Sequence, residues 1–233
     1  MKKNSLIAFL LFLLLVACSE PRTGYIGAEY VGKKYTNDPL GEEKFPDMDP
    51  LVRFDAFDCM TFVETSLAGG NLEKLNKIRY KDGNIDFINR NHFVETDWLP
   101  NNQDMFENVS NLYGKTAIRN VVIDKQNWFK RVHNIDVKIP KQTVEIEYIP
   151  YSDLEKIKTD KPLLVLFIVN NPNMHGRIGT DLAISHMGFL LENGMLRHAS
   201  RDMGRVVDVN FQDYIAKRVK DKNNLGITLL WIK

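Results

Sequence analysis

The chain has 233 residues, 44% of them apolar and 26% charged, with 31 basic residues against 30 acidic. That balance carries no basic footprint for nucleic acid, and the length suits one domain with a substantial core, without repeats or low-complexity runs. Two cysteines are too few for a disulfide-stapled scaffold.

The chain opens MKKNSLIAFLLFLLLVACSE: two lysines, an apolar run, then small residues before Cys18. This is the layout of a secretory signal, too short for a stable membrane span. Leu15-Val16-Ala17-Cys18 resembles the lipobox of bacterial lipoproteins. The resemblance implies loss of residues 1–17, lipid on Cys18, and a protein anchored to a membrane in the cell envelope; in a Gram-negative organism, Ser19 fits the periplasmic face of the outer membrane. A plain secreted protein cut nearby is the rival reading. Loss of Lys2 and Lys3 leaves 29 basic against 30 acidic residues, a net charge of −1. Residues 18–50, rich in Gly, Pro and charge, read as a tether, and 51–233 as the domain.

From Asp58 the pattern turns helical. Cys59, Phe62, Val63 and Leu67 follow i, i+3/i+4 spacing, Gly69-Gly70 supplies the stop, and Asp58 suits the N-cap, so Cys59 falls in the first turn. Residues 71–80 predict a second short helix, 84–99 a mixed segment, and 104–132 a helix or two. Thr143–Ile149 alternates as a half-buried strand, and the wholly apolar run Leu163–Val169 predicts a strand covered on both faces. Two strand-like runs within 182–202 meet at Glu192-Asn193-Gly194, residues 210–220 look helical, and Ile227–Ile232 closes as a strand. The expected class is α+β, a cysteine-bearing helix packed on an antiparallel sheet, with helical insertions.

If Cys18 carries lipid, Cys59 is the remaining thiol, either a small buried hydrophobe or a nucleophile. A helix N-terminus lowers a thiol pKa and offers N–H groups to an oxyanion, which predicts a thiol that reacts fast at neutral pH. A base is sought among the histidines. A two-residue turn at Asn193-Gly194 would pair 189 with 198 and set His186 and His198 on opposite faces. A three-residue loop Glu192-Asn193-Gly194, ending in a left-handed glycine, pairs 188 with 198 and sets them diagonally on one face, with Gly188 leaving room for the rings. One imidazole could then act as base toward Cys59 while the other orients it. A zinc site of Cys59, His175, His186 and His198 is the chemical rival, but no pair has the short spacing of a zinc motif.

The segments FDCMTFVE and ISHMGFLLENGMLRHAS, with the order Cys, His, then a polar residue twelve positions on, resemble the NlpC/p60-type papain-like cysteine peptidases that act on peptidoglycan. The closer likeness is to a branch once catalogued as a domain of unknown function and associated with N-acetylmuramoyl-L-alanine amidase activity; RNHFVETDW (90–98) and GRIGTDLAISH (176–186) belong to it too. The likeness runs discontinuously over 50–233. It implies a papain-like fold, with Cys59 as nucleophile, His186 as general base and His198 as orienting member. It further implies peptidoglycan fragments as partners and no metal or organic cofactor. Asp58, Tyr80, Arg90, His92, Asp97 and Trp98 are the candidate substrate-binding residues: Arg90 for a muropeptide carboxylate, Asp97-Trp98 for a sugar face, Asp58 rather as a cap. The runner-up reactions are a stem-peptide endopeptidase cutting between D-Glu and the diamino acid, and a catalytically silent lipoprotein that binds wall fragments.

Overall fold

A computed structural model describes residues 26–233; the segment read as a signal and Cys18, with the expectations attached to them, lie outside the described residues. The strands are β1 (Lys34–Tyr35), β2 (Ala56–Phe57), β3 (Phe106–Asn108), β4 (Ala117–Ile123), β5 (Gln142–Pro150), β6 (Leu163–Val169), β7 (Ile184–Leu190), β8 (Met195–Ser200), β9 (Arg205–Asn210) and β10 (Asn224–Ile232). The helices are α1 (Cys59–Ala68), α2 (Leu72–Arg79), α3 (Leu99–Asn101), which continues a π-helical turn at Val94–Trp98, α4 (Lys125–His133), α5 (Met174–Ile178) and α6 (Phe211–Arg218). One sheet runs β2-β1-β9-β8-β7-β6-β10-β5-β4, with β3 also on β10. It is antiparallel throughout except for the short parallel pair β1–β2, so the sheet is mixed where a purely antiparallel one was expected.

All seven residues of β6 are buried, as its unbroken apolar run predicts. Leu164, Leu166 and Ile168 join Phe62, Val63 and Leu67 of α1 and Leu75 and Ile78 of α2 in one core. Leu163, Val165 and Phe167 join Phe211 and Ile215 of α6 in a second core on the opposite face. The sheet is thus the middle layer, and α1 and α6 lie on opposite sides of it.

Helix α1 starts where the sequence places it. The Asp58 carboxylate accepts the Thr61 N–H at 2.8 Å while the Thr61 hydroxyl oxygen accepts the Asp58 N–H at 3.0 Å, a closed capping box. At the far end Gly69 takes the left-handed conformation, φ 58°. The stretch read as a tether is not all tether. Within 26–50, Tyr30 and Leu40 are buried, β1 pairs with β2 and β9, and the Ile26 carbonyl accepts from Arg197 at 2.8 Å. Glycine, proline and charge here encode an arm laid along the sheet edge. Residues 104–132 hold one regular helix, α4, and the strand β4, whose alternation pairs with β5 across seven residues. Strand β9, in a stretch for which the sequence suggested no element, supplies six partners for β8.

The β7–β8 hairpin adopts the three-residue loop: Phe189 pairs with Arg197 and Leu190 with Leu196, and the Gly194 N–H donates to the Leu191 carbonyl at 2.9 Å. Gly194 has φ 78°, the left-handed value this loop needs. A Cβ on Gly188 would come within 2.8 Å of both the Arg197 carbonyl oxygen and the His198 Cβ. Gly188→Ala therefore forces the strands apart, with an expected loss of about 1–3 kcal/mol of stability by urea denaturation.

Candidate active site

Cys59 is the first residue of α1, half-buried where the helix packs against the β7–β8 hairpin. Its sulfur is in hydrogen-bonding reach of the Met187 N–H, and of its own and the Met60 N–H at the helix mouth. The β7–β8 ladder is limited to the pairs nearest the turn, and α1 packs on both strands beyond it. Met187 immediately follows His186, so the backbone N–H that reaches the Cys59 sulfur lies one residue along β7 from the base candidate.

The two histidines are joined. His186 Nε2 and His198 Nδ1 are 2.8 Å apart, their rings nearly perpendicular, and the Tyr214 ring of α6 covers both with centroids at 6.2 and 5.0 Å. One nitrogen of the pair donates and the other accepts. Burial pushes the His186 pKa well below 6.5, helped by the neighbouring His198 and the Arg218 guanidinium. Burial also lowers His198 to about 4, with the charges of Asp202 and Asp208 opposing and Arg218 assisting. Both rings are neutral at pH 7.

The thiol departs from expectation. Burial pushes Cys59 up to about 12 and the Asp58 carboxylate adds to it, against the smaller pull of the Met187, Cys59 and Met60 N–H groups. Desolvation outweighs the helix terminus, because the sulfur is withdrawn from water while the cap itself is an anion. The resting pair is thiol and imidazole rather than thiolate and imidazolium.

The model of the AmiA-like, N-acetylmuramoyl-L-alanine amidase-like family matches residues 25–223. The chain belongs to that family. Its fold is shared with a Legionella pneumophila protein of the DUF1460 family, at TM-score 0.80 and 27% identity over 91% of this chain and 88% of that one. An N-acetylmuramoyl-L-alanine amidase from Bacteroides uniformis superposes at TM-score 0.70 and 21% identity, over 91% of this chain and 97% of that one. A Bacteroides fragilis protein bearing a xylanase's name superposes at TM-score 0.68 and 23% identity, over 90% and 100%. At these last two identities the likeness is one of fold alone. No curated protein matches the sequence.

Within this family member, the remaining candidates separate into cleft and core. A cleft of ≈ 290 Å³ opens beside the start of α1, lined by Asp58, Thr61 and Glu64, by Arg90 and His92, and by Trp128 and His133 of α4. Asp58 thus both caps α1 and faces the cleft. His92 lies on the cleft with Nε2 2.7 Å from the Phe87 carbonyl, its ring 4.8 Å from Trp128, and burial drops its pKa to about 3. Arg90 reaches the cleft but is already committed, donating to the Leu40 carbonyl at 2.5 Å and to Asp47 at 3.2 Å. Asp97 lines a separate depression and is paired with Lys125 at 2.5 Å.

Two expectations are corrected. Trp98 has no exposed surface and packs in the α1 core 5.3 Å from Phe106, so it offers no face to a sugar. Tyr80 is 1% exposed, its hydroxyl donating to Glu42 at 3.1 Å beneath the arm. His175 of the zinc reading is exposed on α5, 3.7 Å from Asp181, and no trio of metal-ligating side chains converges among the described residues. Sequence reasoning missed Tyr214, Trp128 and Tyr35. Tyr35 sits in the supposed tether, yet burial raises its pKa to about 12 with further contributions from Cys59 and Asp58. For Trp128, the signal available was an aromatic residue at helical spacing within α4.

The neutral resting pair has a measurable consequence. Thiolate forms only as pH rises toward the elevated thiol pKa, so iodoacetamide should alkylate Cys59 at pH 7 at least about tenfold more slowly than a free cysteine, with the rate still climbing above about pH 9. An inflection below pH 7 in the rate profile would instead reveal an imidazolium-paired thiolate.

Proposed function

We propose that this chain is a cysteine amidase of the cell wall that hydrolyses the bond between N-acetylmuramic acid and L-alanine. The observation that carries the reading is the His186–His198 pair at 2.8 Å beside the Cys59 helix mouth, in a chain of an amidase-like family. With His186 Nε2–H donating to His198 Nδ1, His186 keeps Nδ1 free as the acceptor for the thiol proton; this is the tautomer the proton transfer requires. His198 then carries its proton on Nε2, a buried nitrogen without a partner among the described residues.

As sulfur attacks the lactyl carbonyl, its proton passes to His186, and the oxyanion is met by N–H groups at the start of α1. The C–N bond breaks as His186 returns that proton to the departing L-alanine amine, leaving a thioester. Water, deprotonated by His186, attacks the thioester; the products are the muramic carboxylic acid and the restored thiol. A thiol poised as neutral acid beside a neutral base transfers its proton only when substrate is in place, which guards it against adventitious electrophiles.

The sugar of the substrate belongs in the cleft. Its volume is near the lower end of the ~300–1,000 Å³ range of ligand pockets, enough for one ring rather than an extended glycan. Trp128 offers the apolar face of a pyranose a flat partner, while Asp58 and the exposed Asp38 offer acceptors to its hydroxyls. Export and a lipid on Cys18 would hold such an enzyme at the wall, and labelling with radioactive palmitate, lost in Cys18→Ala, is the direct check.

Incubation with muramyl-L-alanyl-peptides and mass analysis of the products should give free muramic sugar and intact stem peptide. A cut within the stem would make the protein an endopeptidase, and unchanged substrate would make it a binding lipoprotein. Cys59→Ala and His186→Ala should abolish turnover, while His198→Ala slows it less, because it orients rather than transfers. Trp128→Ala should raise KM about tenfold and remove the indole quench seen when the inactive Cys59→Ala protein binds a muramyl dipeptide; Trp128→Phe should largely keep the parent KM.

A further inference from the structure

The two family-like segments 90–98 and 176–186 are bound to each other by a buried carboxyl that the reaction does not use. Glu95, in the π-helical turn, is 4% exposed and its Oε1 accepts the N–H groups of both Ala183 and Ile184, at 2.7 and 2.8 Å. Its Oε2 is buried with no partner among the described residues. Nothing in the bond-breaking steps uses this group.

The site it grips is irregular. Along β6 and β7, His186 lies opposite Phe167, but Ile184 lies opposite Ile168, so Ser185 is an extra residue with no counterpart. This is a β-bulge, and it breaks the two-residue alternation of the strand. Ile184 packs in the α1 core, with Met187 and Phe189, whereas His186 faces Phe167 and Tyr214 on the α6 side. Two residues apart on a regular strand, they would share a face. With the extra residue they do not. Bulges disturb the ladder around them, and the two N–H groups just ahead of this one, those of Ala183 and Ile184, are taken by Glu95. Arg218 supports the same spot from the other side, donating to the Ser185 hydroxyl at 3.2 Å.

We propose that Glu95 is the positioning residue that holds the Ser185 bulge and thereby turns His186 toward His198. The catalytic meaning of this rests on the amidase reading, but the geometric part stands apart from it. A glutamine keeps an Oε1 acceptor for both N–H groups; an alanine leaves two buried donors unsatisfied and lets β7 slip by one residue toward regular pairing.

The test uses the mature protein and its Glu95→Gln and Glu95→Ala variants, each checked for folding by thermal melt and near-UV circular dichroism. In protein with isotope-labelled histidine, a downfield, exchange-protected imidazole proton should report the His186–His198 hydrogen bond. It should persist in Glu95→Gln and vanish in folded Glu95→Ala. On a muramyl-L-alanine substrate, Glu95→Ala should lose kcat by about 30-fold or more with KM within about threefold, and Glu95→Gln should stay within about threefold of the parent in both. Should Glu95→Ala not fold, Ser185 deletion, which removes the bulge directly, is expected to abolish the imidazole proton while Glu95→Gln keeps it. Retention of that proton in folded Glu95→Ala or in the deletion would overturn the proposal, as would a Glu95→Gln protein that lacks it. A parent without amidase activity but with the protected proton refutes the function proposed above, and the proton's response to Glu95 substitution still decides whether Glu95 positions His186.

Discussion

A hydrogen bond between two imidazoles across a β-hairpin constrains more of this molecule than its strength suggests. Side chains diagonal on one face of a hairpin are about 7–8 Å apart at Cα, and His186 and His198 close to 2.8 Å only because three conditions meet. The loop must contain three residues, so that 188 rather than 189 faces 198. Position 188 must lack a Cβ, since one would collide with the partner strand. And the head of β7 must carry an extra residue, so that Ile184 can serve the core while His186 turns to the opposite face. Each condition is local, and each is met by a different part of the chain.

Placement in the sheet then decides the electrostatics. A surface hairpin would leave both rings near their ordinary pKa of about 6.5, but α6 lays Tyr214 over them and Arg218 beside them, and the thiol is pressed into the end of the α1 core. Desolvation penalises every charged form at once. A thiolate–imidazolium pair would bring two charges into a poorly hydrated place, and the Asp58 cap adds a third that repels the thiolate. The same carboxylate that starts the helix therefore works against the resting thiolate. On the amidase reading proposed above, charge would separate only at the moment of attack, when the helix N–H groups gain an oxyanion to bind.

What the sequence made legible was short-range and periodic. The Asp58 cap, the Gly69 stop, the fully apolar β6 and the Glu192-Asn193-Gly194 loop each depend on residues within a few positions, and their physics is the same wherever they occur. The register that sets His186 diagonal to His198 followed from the loop length alone. What escaped depended on distant partners. Trp98 and Asp97 are neighbours in sequence, yet one is swallowed by the core and the other meets Lys125, and no periodicity distinguishes them. The alternation of β4 was masked by a sequence compatible with helix. The raised pKa of Cys59 escaped because a helix terminus can be read locally, whereas burial cannot.

The arm at 26–50 belongs to the same logic. Arg90 reaches back to Leu40 and Asp47, Tyr80 to Glu42, and Arg197 grips Ile26 while holding Asp208 in a two-bond fork at 2.8 Å each. Arg79 bridges further, from Glu64 on α1 to the Leu51 carbonyl just ahead of β2. A buried ion pair such as Glu64–Arg79 adds little net stability, but losing one partner leaves a stranded charge that costs about 3–5 kcal/mol. Such contacts do not build the core; they penalise every arrangement other than this one. They hold the arm against α1, and so bring Asp38 to a cleft that Trp128 and His133 of α4 also line. A chain with the arm removed would retain most of the two cores, yet the cleft would lose Asp38 and Arg90 its anchors, freeing a cation on the cleft lining.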